Sequence, residues 1–209
     1  MITKYSLVRY YHSEMLRLNA QGGTFFKPMF FEFPEEFESY DAQQMNVILG
    51  RSLKLGIQSV DITATTGDFF YSSGVWCDVF NKRPCQRVSS PANQTLATNL
   101  GDFYLDLRQG RTIPFQNGTE LFTSSKINNI ADLKDHPVDF LVLPYCDGNA
   151  CVSNGEYAND NDSVWDLKNV MNNYTIFYSH DVANPDLLNI MFESIVNATD
   201  FNFNIINAN

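Results

Sequence analysis

NVILGRSLKL, residues 46–55, opens a series of short runs rich in Val, Ile, Leu, Thr and aromatic residues. The series continues through QSVDITAT (58–65), DFFYSSG (68–74), VWCDVF (75–80), QTLATN (94–99), DFYLDL (102–107) and TIPF (112–115). Gly, Asn, Pro and Ser separate the runs. Short strands punctuated in this way read as an antiparallel β-sandwich over residues 43–116, because βαβ units would place helical patterns of ten or more residues between them. A second set begins at VDFLVLPY (138–145) and runs through ACVSNGEYA (150–158) and NYTIFY (173–178) to LLNIMFESIV (187–196) and FNFNII (201–206). It reads as a second β-rich module over 138–209, joined by a polar linker at 117–137. DSVWDLKNVMNN (162–173) suits a helical turn and a strand equally, and the last 30 residues are equally open.

Upstream of residue 46 the texture differs. Residues 3–21 read as a helix, with Tyr5, Val8, Tyr11, Met15 and Leu18 at three- and four-residue steps forming one apolar face. Gly22-Gly23 ends it, since glycine accepts the left-handed conformation that helix C-termini use. There follows GGTFFKPMFFEFPEE (22–36), with five phenylalanines among which Lys27 and Glu32 are set. A free strand of this composition invites aggregation, so the segment is built for burial. Pro28 and Pro34 restrict how it can pair in a sheet. In PEEFESYDAQQ (34–44), the residues around Tyr40 to Gln44 suit a short helical turn.

Bulk properties narrow the function classes. The chain has 209 residues, 44% of them hydrophobic and 14% aromatic, which supports real cores. A net charge of −10 opposes nucleic acid and anionic membrane as partners and leaves neutral ligands such as sugars compatible. No run approaches the ~20 apolar residues of a membrane span. MITKYSLVRYY lacks the apolar core of a signal peptide, which fits either a cytosolic protein or a chain whose native N-terminus lies further upstream.

Four cysteines fall in two close pairs, Cys77 with Cys85 and Cys146 with Cys151. Three connectivities are possible and local pairing is the simplest; buried free thiols are the plain alternative. Zinc would need histidines at ligand spacing, and His12, His136 and His180 lie away from both pairs. Five N-x-S/T sequons, at Asn93, Asn117, Asn161, Asn173 and Asn197, are a mild excess for a chain with 22 asparagines. With the paired cysteines they point to a secretory or lysosomal compartment. Glu156, Asp160, Asp162 and Asp166 supply hard oxygen ligands suited to calcium, but lack the EF-hand spacing and its central glycine, so a solvated acidic loop is the simpler reading. Trp76 suits either a sugar-stacking platform or the core. No nucleophile elbow, phosphate loop, HExxH or Cys-x-x-Cys pattern occurs, and three scattered histidines assemble no triad.

KYSLVRYYHSEMLRLNAQGGTFFKPMFFEFPEE (4–36) resembles a segment of glycoside hydrolase family 31, the α-glucosidases, whose pattern runs R-Y-S-L-L-P-Y-L-Y, a helix, then G-T-P-V-x-R-P-L-F-x-E-F-P. Three further pieces follow in order. Leu49-Gly50-Arg51-Ser52-Leu53 is similar to L-G-D-S-L, Gly74 to Phe80 to G-x-W-x-D-x-F, and Leu107 to Pro114 to V-R-G-G-S-I-L-P. Arg9 and Thr24 replace prolines of the pattern, Lys27 replaces its arginine and Arg51 stands where an acid is usual. Lys and Arg are not interchangeable at bidentate sites, so the role of position 27 departs from the family's.

The resemblance implies a mainly β chain: a terminal helix of a (β/α)8 barrel, an antiparallel β-sandwich as the proximal C-terminal domain, and a second, distal β-rich module. Residues 1–42 would be the end of the catalytic barrel. Such enzymes hydrolyse terminal α-linked glucose with retention, using two aspartates on earlier barrel strands and no cofactor. The nucleophile's W-x-D-M-N-E motif does not occur here, and a barrel needs about 250 residues. The expectation is therefore a non-catalytic C-terminal portion with no catalytic, cofactor or metal residues of its own. Its partners would be the missing barrel and, for the parent, an α-glucoside, with no nucleic acid or membrane span. The parent would be secreted, lysosomal or vacuolar. The alternative is a free-standing carbohydrate-binding or interaction module, and an exposed helix face around Tyr11 and Met15 would favour the fragment over it.

Overall fold

The computed structural model describes residues 2–41, 46–57, 63–80, 82–98, 101–119, 132–133, 136–148, 150–159, 172–181, 184–193 and 201–205. They are mainly β, with antiparallel pairing dominant and little helix. Two compact units divide the chain at Gly23/Thr24 and at Gln109/Gly110: Thr24–Gln109 with the last two residues, and Met1–Gly23 with Gly110–Asn207. These points differ from the boundaries at 42 and 116 read from the sequence. The N-terminal helix packs on strands more than a hundred residues away, a relation that local composition does not record.

In the unit Thr24–Gln109, β1 (Phe26–Pro28), β2 (Asn46–Leu49), β3 (Leu53–Ile57), β5 (Gly74–Asp78), β6 (Gln86–Val88) and β8 (Phe103–Arg108) form an antiparallel sheet in the order β1-β2-β3-β8-β5-β6. A two-stranded sheet pairs β4 (Thr66–Tyr71) with β7 (Ala92–Ala97). Pro28 is accommodated because β1 is an edge strand, where a missing N–H costs no ladder bond. The β2–β3 connection turns on Gly50, whose φ of 60° suits glycine and whose N–H donates to the Phe25 carbonyl at 2.8 Å. Leu49 and Leu53 on either side are buried, which gives the L-G-x-S-L pattern its physical content. Between β1 and β2 lie two single helical turns, α3 (Met29–Glu32) and α4 (Glu38–Asp41).

Residues of both sheets meet in one core: Ile48, Trp76 and Val88 from the larger, Phe69, Phe70 and Tyr71 from the smaller, with Met29 and Phe33 from the Phe-rich segment. Aromatic edges interlock there, Phe33 lying 6.1 Å from Phe70 and 6.3 Å from Trp76, and Tyr71 lying 6.1 Å from Trp76.

In the other unit, β9 (Arg111–Phe115), β10 (Val138–Leu143), β12 (Ala150–Asn159), β13 (Asn172–Asp181), β14 (Asn184–Glu193) and β15 (Phe201–Ile205) run in the order β14-β13-β12-β9-β10-β15, with β11 (Tyr145–Asp147) hairpinned to β12. β10 with β15, and β12 with β9, are parallel; the remaining pairs are antiparallel. Residues 184–193 and 201–205 are thus strands, an assignment the sequence leaves open. Most of the linker 117–137 and all of 160–171 lie outside the described residues.

The expected helix is present as α1 (Ile2–Ser6) and α2 (Val8–Gln21), ended by Gly22 at φ 79°. Its buried face is not the expected one. Arg9, Tyr10, Ser13, Glu14 and Leu16 are buried, while Met15 is 54% exposed. The reason is hydrogen bonding. Arg9 Nη2 donates to the Leu133 carbonyl at 2.5 Å, the Ser13 hydroxyl accepts from Ala158 N–H at 3.1 Å, and the Ser6 carbonyl accepts from Gln116 N–H at 3.0 Å. Buried backbone groups need partners, so a polar stripe displaces the apolar one at this surface.

Strand β12 crosses β9 so closely at Gly155 that an added Cβ would meet the Thr112 backbone carbonyl. Gly155→Ala is therefore expected to lower stability by about 2 kcal/mol or more through strain, read as a shift in the denaturant midpoint.

Candidate functional site

Two polar constellations stand out in the unit Thr24–Gln109. The first lies in the Phe-rich segment. β1 carries Lys27 and α3 carries Glu32 five residues on, so one turn of chain returns the carboxylate to the amine. Lys27 Nζ lies 2.6 Å from Glu32 Oε2, and Arg108 Nη1, at the end of β8, lies 3.0 Å from Oε1. Glu32 is thus shared by two cations, and Arg108 also lies 4.8 Å from the Phe33 ring centroid. Around this bridge the segment is only partly covered: Phe26, Phe31 and Tyr40 are exposed, and Phe37 is 85% exposed. Phe30 stacks on Tyr40 at 5.1 Å and meets Phe31 edge-on at 4.9 Å.

The second constellation is buried. Asp106 is central on β8, with Lys54 of β3 as its Cα partner on one side and Asp78 of β5 on the other. Its Oδ2 accepts from the Tyr71 hydroxyl at 2.8 Å and its Oδ1 accepts from Arg83 Nη2 at 2.7 Å. Arg83 Nε also donates to Asp78 Oδ2 at 3.2 Å, and the guanidinium lies 4.0 Å from the Tyr104 ring centroid. The Lys54 side chain is 0% exposed, with Nζ 3.8 Å from the Tyr71 ring centroid. Burial pushes the Tyr71 hydroxyl far up, and the Asp106 carboxylate, which holds its proton by hydrogen bonding, pushes further in the same direction. Burial opposes the Arg83 cation, but Asp106, Tyr71 and Asp78 outweigh it and raise its pKa.

Chemically, the carboxylate at the centre of each constellation is closed off. Each carboxylate oxygen of Asp106 and Glu32 faces a donor within 3.0 Å, which commits it to protein partners. Such an arrangement fixes strand register and chain path. Among the described residues no group of three His, Cys, Asp or Glu side chains is placed to hold a metal ion.

The residues singled out in the sequence fall as follows. Cys77–Cys85 and Cys146–Cys151 are both disulfides, so the local pairing holds and the free-thiol and zinc alternatives fall away. Cys146 and Cys151 are direct cross-strand partners in the β11–β12 hairpin. Asn93 on β7 and Asn117 after β9 are exposed; Asn161 and Asn197 lie outside the described residues, as does the Asn173 side chain. Of the acidic cluster only Glu156 is described, 3.9 Å from Arg17, and Asp160, Asp162 and Asp166 lie outside. Trp76 is buried and its indole N–H donates to the Ser72 carbonyl at 3.0 Å, which makes it core. His12 is half-buried on α2. The Lys54–Asp106–Arg83 cluster escapes sequence reasoning, because opposite charges in three separate runs become neighbours only once the register is known.

No protein-family profile matches the chain. An uncharacterised family 31 glucosidase of Schizosaccharomyces pombe is 28% identical over 191 residues, covering 91% of this chain and 17% of that protein. A family 31 dextranase of Flavobacterium johnsoniae shares the fold with a TM-score of 0.67 at 18% identity, over 84% of this chain and 20% of its own. The glucosidase II α subunit matches at 0.68 and 20% identity, over 87% and 19%. A family 31 α-xylosidase of Xanthomonas citri matches at 0.69 and 14% identity, over 98% and 21%. The chain thus spans about a fifth or less of each relative's length.

Tyr71→Phe removes one donor from a buried carboxylate and is expected to cost about 1–3 kcal/mol of stability, measured by chemical denaturation.

Proposed function

We propose that this chain, which resembles glycoside hydrolase family 31, is the non-catalytic C-terminal portion of such an enzyme, one whose whole form hydrolyses terminal α-linked glucose with retention. The observation that carries the reading is the coverage: nine-tenths of this chain aligns with one-sixth of a family 31 glucosidase. Surface chemistry supports it. Met15 on α2, Phe31 in the Phe-rich segment and Phe37 just after it are exposed, and an independent module would keep such side chains from water. In this reading residues 1–42, which carry α1 and α2, are the end of the catalytic barrel, residues 43–116 are the proximal β-sandwich, 117–137 the linker and 138–209 the distal module. The Lys27–Glu32–Arg108 bridge pins the chain where barrel gives way to sandwich. The catalytic aspartates belong to the remainder of the enzyme, since the sequence holds no W-x-D-M-N-E motif.

The two disulfides, the exposed sequons at Asn93 and Asn117 and the fold shared with the catalytic subunit of ER glucosidase II, at a TM-score of 0.65, support a parent in the secretory pathway. A second reading, a free-standing carbohydrate-binding module, rests on the exposed rings of Phe31, Phe37 and Tyr40 as a stacking platform.

Purified chain incubated with a chromogenic α-glucoside is expected to release no product above background; robust turnover would overturn the non-catalytic reading. Calorimetric titration with maltose and longer glucans separates the second reading, since heat of binding supports the module and its absence removes it. Expression in a eukaryotic secretory host is expected to yield glycan at Asn93 and Asn117, read as a mass loss on enzymatic deglycosylation.

A further inference from the structure

Lys54 has no part in the function just proposed, and its surroundings are unusual for an amine. The side chain is wholly buried, and Nζ has no hydrogen-bond partner. It lies over ring faces, Tyr71 at 3.8 Å and Phe69 at 5.5 Å from the centroids. The facing carboxylate, Asp106 on β8, is already engaged by the Tyr71 hydroxyl and by Arg83. On the other flank β2 (NVIL) offers nothing that titrates. β4 brings Tyr71 and, further along, Asp68, which accepts from the Thr95 hydroxyl at 2.6 Å. β5 brings Asp78, which is bonded to Arg83. A protonated Lys54 is therefore offset by one shared carboxylate and a ring face, next to a guanidinium of its own sign.

We propose that Lys54 is a pH-sensitive strut: the neutral amine packs as an apolar stem in the core of the unit Thr24–Gln109, and the cost of keeping it unprotonated there lowers the stability of that unit as pH falls toward neutrality. Burial drives the amine from its ordinary 10.5 down to about 7, against the pull of Asp106 and with the push of Arg83. Between those two values the unfolded chain binds more protons than the folded one, so stability climbs as pH rises through that window. Below about 7 both states are charged and the whole penalty is present. All four cysteines are in disulfides, and His12, His136 and His180 belong to the other unit. The raised pKa of Tyr71 and Tyr104 works in the opposite direction, and only as the unfolded tyrosines ionise near 10.

The test is thermal unfolding of the full chain from pH 7 to pH 9.5, followed by Trp76 fluorescence in a Trp165→Phe background. With Lys54 present, the midpoint is expected to rise by about 5 °C or more across the range. With Lys54→Met the rise disappears and the variant is the more stable at pH 7, because an apolar side chain carries no charging penalty. Equal slopes in the two proteins would overturn the proposal. Should either variant fail to fold, a carbon NMR titration of the seven lysine Cε positions in the native chain decides it. One amine titrating near pH 7 supports the strut, and seven titrating together near the ordinary lysine value refute it.

Discussion

A single buried carboxylate organises the unit Thr24–Gln109. Asp106 sits in the middle of β8 with a charged residue registered on each side, Lys54 and Asp78. An ionised carboxylate out of contact with water is tolerated only when its lone pairs are filled. Filling them requires Tyr71 from the smaller sheet and Arg83 from the connection after β5, so the demand of one side chain joins two sheets and a loop. Slipping β8 by one residue would turn its inward set outward and carry Asp106 away from both donors. The aromatic core supplies most of the burial, and apolar packing alone tolerates many arrangements. The carboxylate selects among them.

The helical unit shows the same logic with backbone in place of carboxylate. α2 presents Arg9, Ser13 and Glu14 inward because the surface it covers offers carbonyl and amide groups from Leu133 and Ala158. Buried Glu14 is neutralised within the helix by Arg17 at 2.8 Å, a pair one turn apart. Of the apolar residues, Tyr10 and Leu16 are buried beside this polar stripe and Met15 is left outward.

What the sequence made legible follows from the range of the interactions involved. β-Branched and aromatic runs cut by Gly and Asn reveal strands because both signals are local, and β4, β5, β7 and β8 each overlap a run read from composition, while the single run NVILGRSLKL folds as two strands, β2 and β3, and most of QSVDITAT lies outside the described residues. β6, the three residues Gln86–Val88, has no such pattern and forms because β5 offers it an edge. The helix was legible as a helix, but its buried face was not, since apolar periodicity assumes an apolar partner. The disulfides were legible from spacing within single hairpins and loops. Lys54 and Asp106 were not, since a lysine within an apolar strand reads as an outward residue until its neighbours are known. The family resemblance came from four short motifs whose glycines and buried leucines have clear structural duties, Gly50 with Leu49 and Leu53 above all.

The Cys77–Cys85 bridge encloses Arg83 in a small covalent ring. Closing that ring turns the meeting of Arg83 with Asp106 from a search by a free loop into an encounter at high effective concentration. Reduction of the bridge would lengthen the tether on which the buried carboxylate's cation is carried.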